Sequence, residues 1–127
     1  MSNILYGLES VATPAMFEEL NRLEKAYEYA ESAELKASHE GILEDAEGYL
    51  TDIGELVLEN THIAKKALAD YADCIWRDVH NCIEMQMYCA EKAGEEAGYK
   101  FPYIYHDYED DIVEMILKKW GIWEYLE

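Results

Sequence analysis

Apolar residues recur at steps of three and four along most of this chain, which is the periodicity of an amphipathic α-helix. Thr13 followed by Pro14 is typical of a helix start, because a threonine side chain caps the first turn and proline is tolerated there. The sequence therefore predicts a first helix from about residue 14 to residue 37, after an irregular segment at 1–12. The stripe of this helix contains Met16, Leu20, Leu23, Tyr27 and Ala30.

Two further stripes predict a second and a third helix. Ser38 is expected to cap the second helix, and Asn60 or Thr61 is expected to open a third one that reaches about Ala93. The second stripe contains Ile42, Leu43, Ala46, Tyr49, Leu50, Ile53, Leu56 and Val57. The third is wider, as expected for a central helix, and contains Ile63, Ala67, Leu68, Tyr71, Cys74, Ile75, Val79, Cys82, Met85 and Cys89.

A tyrosine-rich connector separates these helices from the last one. Gly94 and Gly98 are expected to end the third helix, and Asp107 to begin a final helix that Gly121 interrupts. The apolar residues of this last helix are Val113, Ile116, Leu117 and Trp120. The sequence thus predicts an all-α fold, in which residues 1–127 form a single-domain bundle of about four main helices.

The charge of the chain restricts its partners. There are 28 Asp and Glu residues against 10 Lys and Arg, which gives a formal net charge of −18. Solubility alone needs a net charge of only about 2 to 8 on a small domain. Nucleic acid and anionic membrane surfaces would repel such a chain, whereas a basic protein surface would attract it.

The cysteines and the hydropathy favour a cytoplasmic protein. Cys74, Cys82 and Cys89 have no CxxC spacing, so reduced and buried thiols are expected. No apolar run approaches the roughly 18 residues that a membrane span requires. Asp78 is the unusual residue, because the helical periodicity places it on the apolar face of the third helix.

Two rows of glutamates are the candidate binding surface. Each row has a spacing of four and then three residues, so in a helix its carboxylates would rise by about 6 and 4.5 Å, which is comparable to a row of phosphates. An ordinary solvated helix face is the alternative. Two connector tyrosines would add flat aromatic contacts. The candidate partner-binding residues are Glu24, Glu28, Glu31, Glu40, Glu44, Glu47, Tyr103 and Tyr105.

In its charge, size and helical pattern, the whole chain resembles phage-encoded nucleic-acid mimics, which include anti-restriction proteins and some anti-CRISPR inhibitors. The resemblance implies an inhibitor in the host cytoplasm that occupies the basic nucleic-acid-binding surface of a nuclease or effector complex. It implies no catalytic residue, metal or cofactor. The sequence leaves open a homodimer formed through the end that carries Trp120 and Trp123.

A short segment supports an alternative of another class. Asp52 and Glu55, followed by Asp70 and Asp73, resemble the paired acids of MazG-like nucleoside triphosphate pyrophosphohydrolases, with Asp at two positions where that family has Glu. That resemblance implies an all-α enzyme in which these four carboxylates hold Mg²⁺ against the substrate phosphates. The periodicity places them away from the apolar faces, so they would have to converge in a cleft.

Overall fold

The computed structural model describes residues 8–96 and 109–126, and within these ranges the protein is all-α, as predicted. The regular elements are helix α1 (Pro14–His39), helix α2 (Asp52–Glu96), helix α3 (Glu109–Lys119) and a 3₁₀ turn (Trp123–Tyr125). The described residues form no strand, only one isolated antiparallel bridge between Glu44 and Leu50. The connector that contains Tyr103 and Tyr105 lies outside the described residues.

Helix α1 begins as the sequence predicts. The Thr13 hydroxyl accepts a hydrogen bond from the Met16 backbone N–H at 3.1 Å, which satisfies one free amide of the first turn. Met16, Leu20 and Ala30 of the predicted stripe are buried, and Ala37 continues it.

The end of α1 differs from the prediction. Gly41 has a φ of +71°, its N–H donates to the Ser38 carbonyl at 3.1 Å, and the Ile42 N–H donates to the Ala37 carbonyl at 3.1 Å. This pair of bonds is a Schellman motif, which ends a helix because glycine adopts the left-handed conformation without steric cost. Ser38 therefore lies inside α1, and the prediction that it caps a second helix is wrong.

Residues 40–51 form a loop in place of the first half of the predicted second helix. The Asp45 carboxylate accepts hydrogen bonds from the backbone N–H groups of Glu47 at 2.9 Å and Tyr49 at 3.0 Å. The Asp45 N–H donates to the Tyr49 carbonyl at 2.8 Å, and Gly48 has a φ of +87°. An aspartate that bonds to nearby backbone favours a turn over a helix.

The loop is attached to the start of α2 by Thr51. The Thr51 hydroxyl accepts from the Gly54 N–H at 2.9 Å and donates to the Ile42 carbonyl at 2.6 Å. A Cβ atom at Gly54 would overlap the Leu43 carbonyl oxygen, so only glycine allows this close approach. Thr51 thus caps α2 and also holds the loop against it.

Helix α2 is 45 residues long, and it has no break at the predicted boundary. The Thr61 hydroxyl lies 3.1 Å from the Val57 carbonyl one turn earlier and 3.3 Å from the Ala30 carbonyl of α1. A threonine that bonds to the preceding turn sits inside a helix and does not cap a new one. The prediction of a helix boundary at Asn60 or Thr61 is therefore wrong.

The chain divides into two compact units, which we call the terminal unit (Met1–Met16 with Ala72–Glu127) and the central unit (Phe17–Tyr71). In the described part of the chain, the largest fully buried side chains all belong to the terminal unit: Leu8, Val79, Ile83, Val113, Leu117 and Ile122. The buried apolar side chains of the central unit are Leu20, Ala30, Ala37 and Leu68. The single-domain prediction stays a prediction.

Several predicted core residues of the long helix lie at the surface. The buried stripe of α2 is Leu68, Ala72, Ile75, Val79 and Ile83. Cys74 and Cys89 are exposed and Cys82 is half-buried, so the expectation of buried thiols is wrong for the first two. Asp78 is exposed as well, because the packed face is narrower than the apolar pattern and leaves this aspartate outside it.

Among the residues described, none of the helices combines the length and the apolar character needed to cross a bilayer.

Candidate functional site: an acidic groove of the central unit

The first row of glutamates lies on α1, as predicted. Glu24 is half-buried, and Glu28 and Glu31 are exposed. Glu28 and Glu31 line a groove of about 690 Å³ together with Glu34, which lies one turn further along the helix. The other lining residues are Ser32, Leu35, Ser38 and Leu43. Leu43 comes from the 40–51 loop, so the groove exists because Gly41 ends α1 and the loop folds back.

The residues that line this groove give it a negative charge. Three carboxylates line it, and no Lys or Arg side chain of the described residues does. The pKa of Tyr27 is raised by partial burial first and then by the Glu31 and Glu34 carboxylates. Those carboxylates act on Tyr27 because a negative charge disfavours the formation of a phenolate.

Five of the Lys and Arg side chains in the described ranges form short-range ion pairs. All of these pairs join residues three or four positions apart, and none involves Glu28, Glu31 or Glu34. The pairs are Arg22 with Glu19, Lys36 with Glu40, Lys66 with Asp70, Arg77 with Asp73 and Lys118 with Glu114. Arg22 also lowers the pKa of Glu19, mainly through its hydrogen bond to that carboxylate.

The second row of glutamates does not lie on a helix. Glu40 directly follows the last residue of α1 and lies 4.0 Å from Lys36. Glu44 and Glu47 belong to the loop, and all three side chains are exposed. The predicted helical spacing of this row is wrong, because the Schellman motif at Gly41 ends the helix before the row begins. The row therefore adds exposed charge to the loop without a regular pitch.

An apolar groove lies in the same unit. It has a volume of about 460 Å³ and is lined by Tyr29, Ser32, Ala33, Lys36, Ala37, Glu40, Ile42, Ile53 and Val57. Tyr29 is 80% exposed, and Tyr49 of the loop is 71% exposed. Tyr103 and Tyr105 lie outside the described residues, whereas Tyr29 and Tyr49 are described and belong to the same unit as the acidic groove.

The four acids of the pyrophosphohydrolase-like segment all lie on α2. Glu55 and Asp70 are separated by fifteen residues of continuous helix, which is about 22 Å of rise. Asp70 is paired with Lys66 at 3.1 Å, and Asp73 with Arg77 at 2.9 Å. The structure does not bring the two acid pairs together. In addition, the carboxylates of Asp70 and Asp73, which a Mg²⁺ site would need, are already paired with Lys66 and Arg77.

The terminal unit contains a cluster that the sequence reasoning missed. One ligand atom each from His80, Glu84 and Glu109 lie within 4.8 Å of one another. The i, i+4 spacing of His80 and Glu84 on a helix was a visible signal. The approach of Glu109 from α3 was not, because it depends on how α3 packs against α2.

Comparisons with protein-family models, with curated proteins and with solved structures found no match for this chain.

Proposed function

We propose that this protein is an acidic inhibitor that binds the basic nucleic-acid-binding surface of a nuclease or effector complex, and that it does so through the central unit. The observation that carries this proposal is the groove lined by Glu28, Glu31 and Glu34, which no basic side chain of the described residues lines. Carboxylates in such a position can accept charge-assisted hydrogen bonds from Lys or Arg, as phosphates do.

The groove suits basic side chains better than it suits small cations. Leu35 is 60% exposed and Leu43 is half-buried, and both line the groove beside the carboxylates. Lysine and arginine place their aliphatic stems along apolar surface while their charged ends reach polar groups. A groove with an apolar lining and carboxylates therefore matches both parts of these side chains.

The net charge of −18 would act at longer range. Charges of one sign steer a partner of opposite sign and raise the association rate, and this effect weakens as salt screens it. Exposed aromatic and aliphatic side chains such as Tyr29 and Tyr49 would contribute more to the dissociation rate, because their burial supplies contact area in the complex.

The proposal is for a binding protein and not for an enzyme. Glu55 and Asp70, from the two acid pairs of the pyrophosphohydrolase-like segment, lie about 22 Å apart along one helix, which supports this choice. A shared Mg²⁺ site needs its carboxylates within a few ångströms of one ion.

The test compares two charge-matched triple variants. The groove variant carries Glu28→Gln, Glu31→Gln and Glu34→Gln, and the control carries three exposed changes in the terminal unit: Asp78→Asn, Asp111→Asn and Glu124→Gln. Each leaves 25 acids against 10 bases, a net charge of −15. A fluorescent arginine-rich peptide is titrated with each protein, and anisotropy gives the affinity. We expect the groove variant to bind at least about fivefold more weakly than the control, which corresponds to roughly 1 kcal/mol.

The inhibitory role is tested with basic nucleases and effector complexes that the immobilised protein retains at low salt. Displacement of labelled DNA or RNA from each retained protein is then measured. The proposal is supported if the control variant displaces the labelled nucleic acid as the parent does and the groove variant does not. A partner that holds this protein and its nucleic acid together, with unchanged affinities, would show that mimicry is wrong.

A further inference from the structure

A histidine and several acids form a cluster in the terminal unit, where two helices meet. His80 lies on α2, and Glu84 follows one turn later on the same face of that helix. Glu109 and Asp110 belong to the first turn of α3. The His80 Nδ1 atom lies 3.8 Å from a Glu84 oxygen, and the Nε2 atom lies 3.9 Å from a Glu109 oxygen and 3.5 Å from an Asp110 oxygen.

We propose that His80, Glu84 and Glu109 form a binding site for a divalent transition-metal ion such as Zn²⁺, with Asp110 as an additional carboxylate. In a tetrahedral zinc site with ligand distances of about 2.1 Å, neighbouring ligand atoms lie about 3.4 Å apart. The ligand atoms of the three residues already lie within 4.8 Å of one another. Small side-chain rotations, above all of the 58% exposed Glu84, would close the set around one ion.

The surroundings of His80 favour a fixed imidazole. The Trp76 ring stacks on the His80 ring with a centroid distance of 5.1 Å and an angle of 14° between the planes. The His80 side chain is 24% exposed and that of Glu109 is 14% exposed. A ring held by stacking loses less conformational entropy when one of its nitrogens binds an ion.

The donor set selects a class of metal. Mg²⁺ and Ca²⁺ favour sites made only of oxygen ligands, whereas an imidazole nitrogen suits Zn²⁺, Fe²⁺, Ni²⁺ and Cu²⁺. Residues four apart on one helix reach the same ion, as in helical zinc sites with two histidines at i and i+4. A third ligand from α3 would turn the site into a crosslink between two helices. Three carboxylates close together also repel one another, and a divalent cation would relieve that repulsion.

The proposed role of the ion is structural. It would join the first turn of α3 to α2 within the terminal unit, and it would stabilise the folded protein by mass action, because the unfolded chain does not hold the ligands together. The acidic groove shares no residue with this cluster, because it belongs to the central unit.

The experiment titrates chelator-treated protein with Zn²⁺ in 150 mM salt, with calorimetry for affinity and far-UV circular dichroism for thermal unfolding. We expect one bound ion and a higher melting temperature, and Mg²⁺ at the same concentration should produce neither. His80→Gln and Glu109→Gln should each weaken Zn²⁺ binding at least about tenfold. His62→Gln, which replaces an exposed histidine elsewhere on α2, should bind as the parent does.

Two further measurements distinguish loss of the metal site from loss of the fold and from a cysteine ligand. Glu84→Gln changes an exposed side chain, so it should retain the fold and still weaken Zn²⁺ binding even if His80→Gln fails to fold. Co²⁺ serves as a spectroscopic probe, because a cysteine ligand such as Cys82 would produce an intense thiolate-to-cobalt absorption, which we expect to be absent. Zn²⁺ binding that Glu84→Gln and Glu109→Gln leave unchanged, or that Mg²⁺ equals, would overturn the proposal.

Discussion

Gly41 in the central unit and Gly121 in the terminal unit end their helices with the same Schellman motif, but with different results for the following isoleucine. The Ile122 N–H donates to the Leu117 carbonyl at 2.9 Å, as the Ile42 N–H does to Ala37 at 3.1 Å. Ile122 is 0% exposed, whereas Ile42 is 37% exposed. The same Schellman motif is therefore followed by a buried isoleucine in the terminal unit and by an exposed one in the central unit.

This difference extends to the two units as wholes. Among the described residues, the terminal unit buries large aliphatic side chains completely and exposes three large apolar ones, Met85, Tyr88 and Met115. The central unit buries smaller or fewer ones and exposes more large apolar side chains. In the central unit these exposed side chains are Phe17, Tyr29, Leu35, Ile42, Tyr49, Leu50, Ile53, Leu56 and Ile63. Exposed apolar groups in the unit that also carries the acidic groove suit a binding surface better than a core. We infer that the terminal unit supplies most of the stability and that the central unit is available for contact.

The largest expected effect comes from one matched pair of leucine substitutions. Leu117→Ala removes a side chain that is 0% exposed, so it should cost about 2 to 5 kcal/mol of unfolding free energy. Leu56→Ala removes one that is 58% exposed and should change stability by less than about 0.5 kcal/mol. Urea unfolding followed by circular dichroism measures both. Equal costs for the two substitutions would remove the distinction between the units.

A second prediction tests the close approach of the loop to α2. Gly54→Ala should destabilise the protein by about 1 to 3 kcal/mol, because the new Cβ atom would overlap the Leu43 carbonyl oxygen, despite the better helix propensity of alanine. The adjacent Ile53→Ala, which alters a 53% exposed side chain, is the control and should stay near the parent. If Gly54→Ala is instead stabilising in urea, the loop does not pack on α2 as described.

A third prediction concerns the threonine that holds the loop. Thr51→Val should cost about 0.5 to 2 kcal/mol, because it removes both the cap on Gly54 and the bond to the Ile42 carbonyl. Thr51→Ser keeps the hydroxyl and should recover most of that loss. Hydrogen exchange should show faster opening in residues 42–51 of the valine variant while α3 keeps its protection. Equally faster exchange in α3 would mean that the two units do not respond separately.

The smallest expected effect is a pH dependence in the central unit. The pKa of Tyr27 is raised in the folded protein, so above about pH 10 the unfolded chain loses this proton first and the folded state retains it. The free energy of unfolding should therefore fall as pH rises through that range. The slope should correspond to at most one proton, which is the proton of Tyr27. Tyr27→Phe should have the shallower slope, and Glu34→Gln an intermediate one, in urea midpoints measured from pH 9 to pH 11. Identical slopes would contradict the raised pKa.

The sequence predicted the parts of the fold that local chemistry determines. Thr13 and Pro14 marked the start of α1, Gly121 marked the end of α3, and the stripe at Val113, Ile116 and Leu117 is buried. In each of these cases the local signal and the packing favour the same structure.

The predictions from sequence were wrong where two local signals favoured different structures. The apolar period after Ser38 favoured a helix, but Gly41 and the Asp45 turn were the stronger signals and produced a loop. The first glutamate row was predicted on its helix, and Glu34 was missed as part of the groove because the groove also needs Leu43 from the loop. The His80 cluster depends on a contact between helices, which periodicity within one helix cannot supply.

The position of the borders between the two units has a consequence for dissecting this protein. One border falls between Met16 and Phe17 and the other between Tyr71 and Ala72, so both lie inside helices. A fragment cut at these points would begin in the first turns of α1 and end in the middle of α2, and the second cut would leave four backbone carbonyls without helical partners. Such a fragment should fray at its ends, so the two units are best separated by measurement at individual residues and not by truncation.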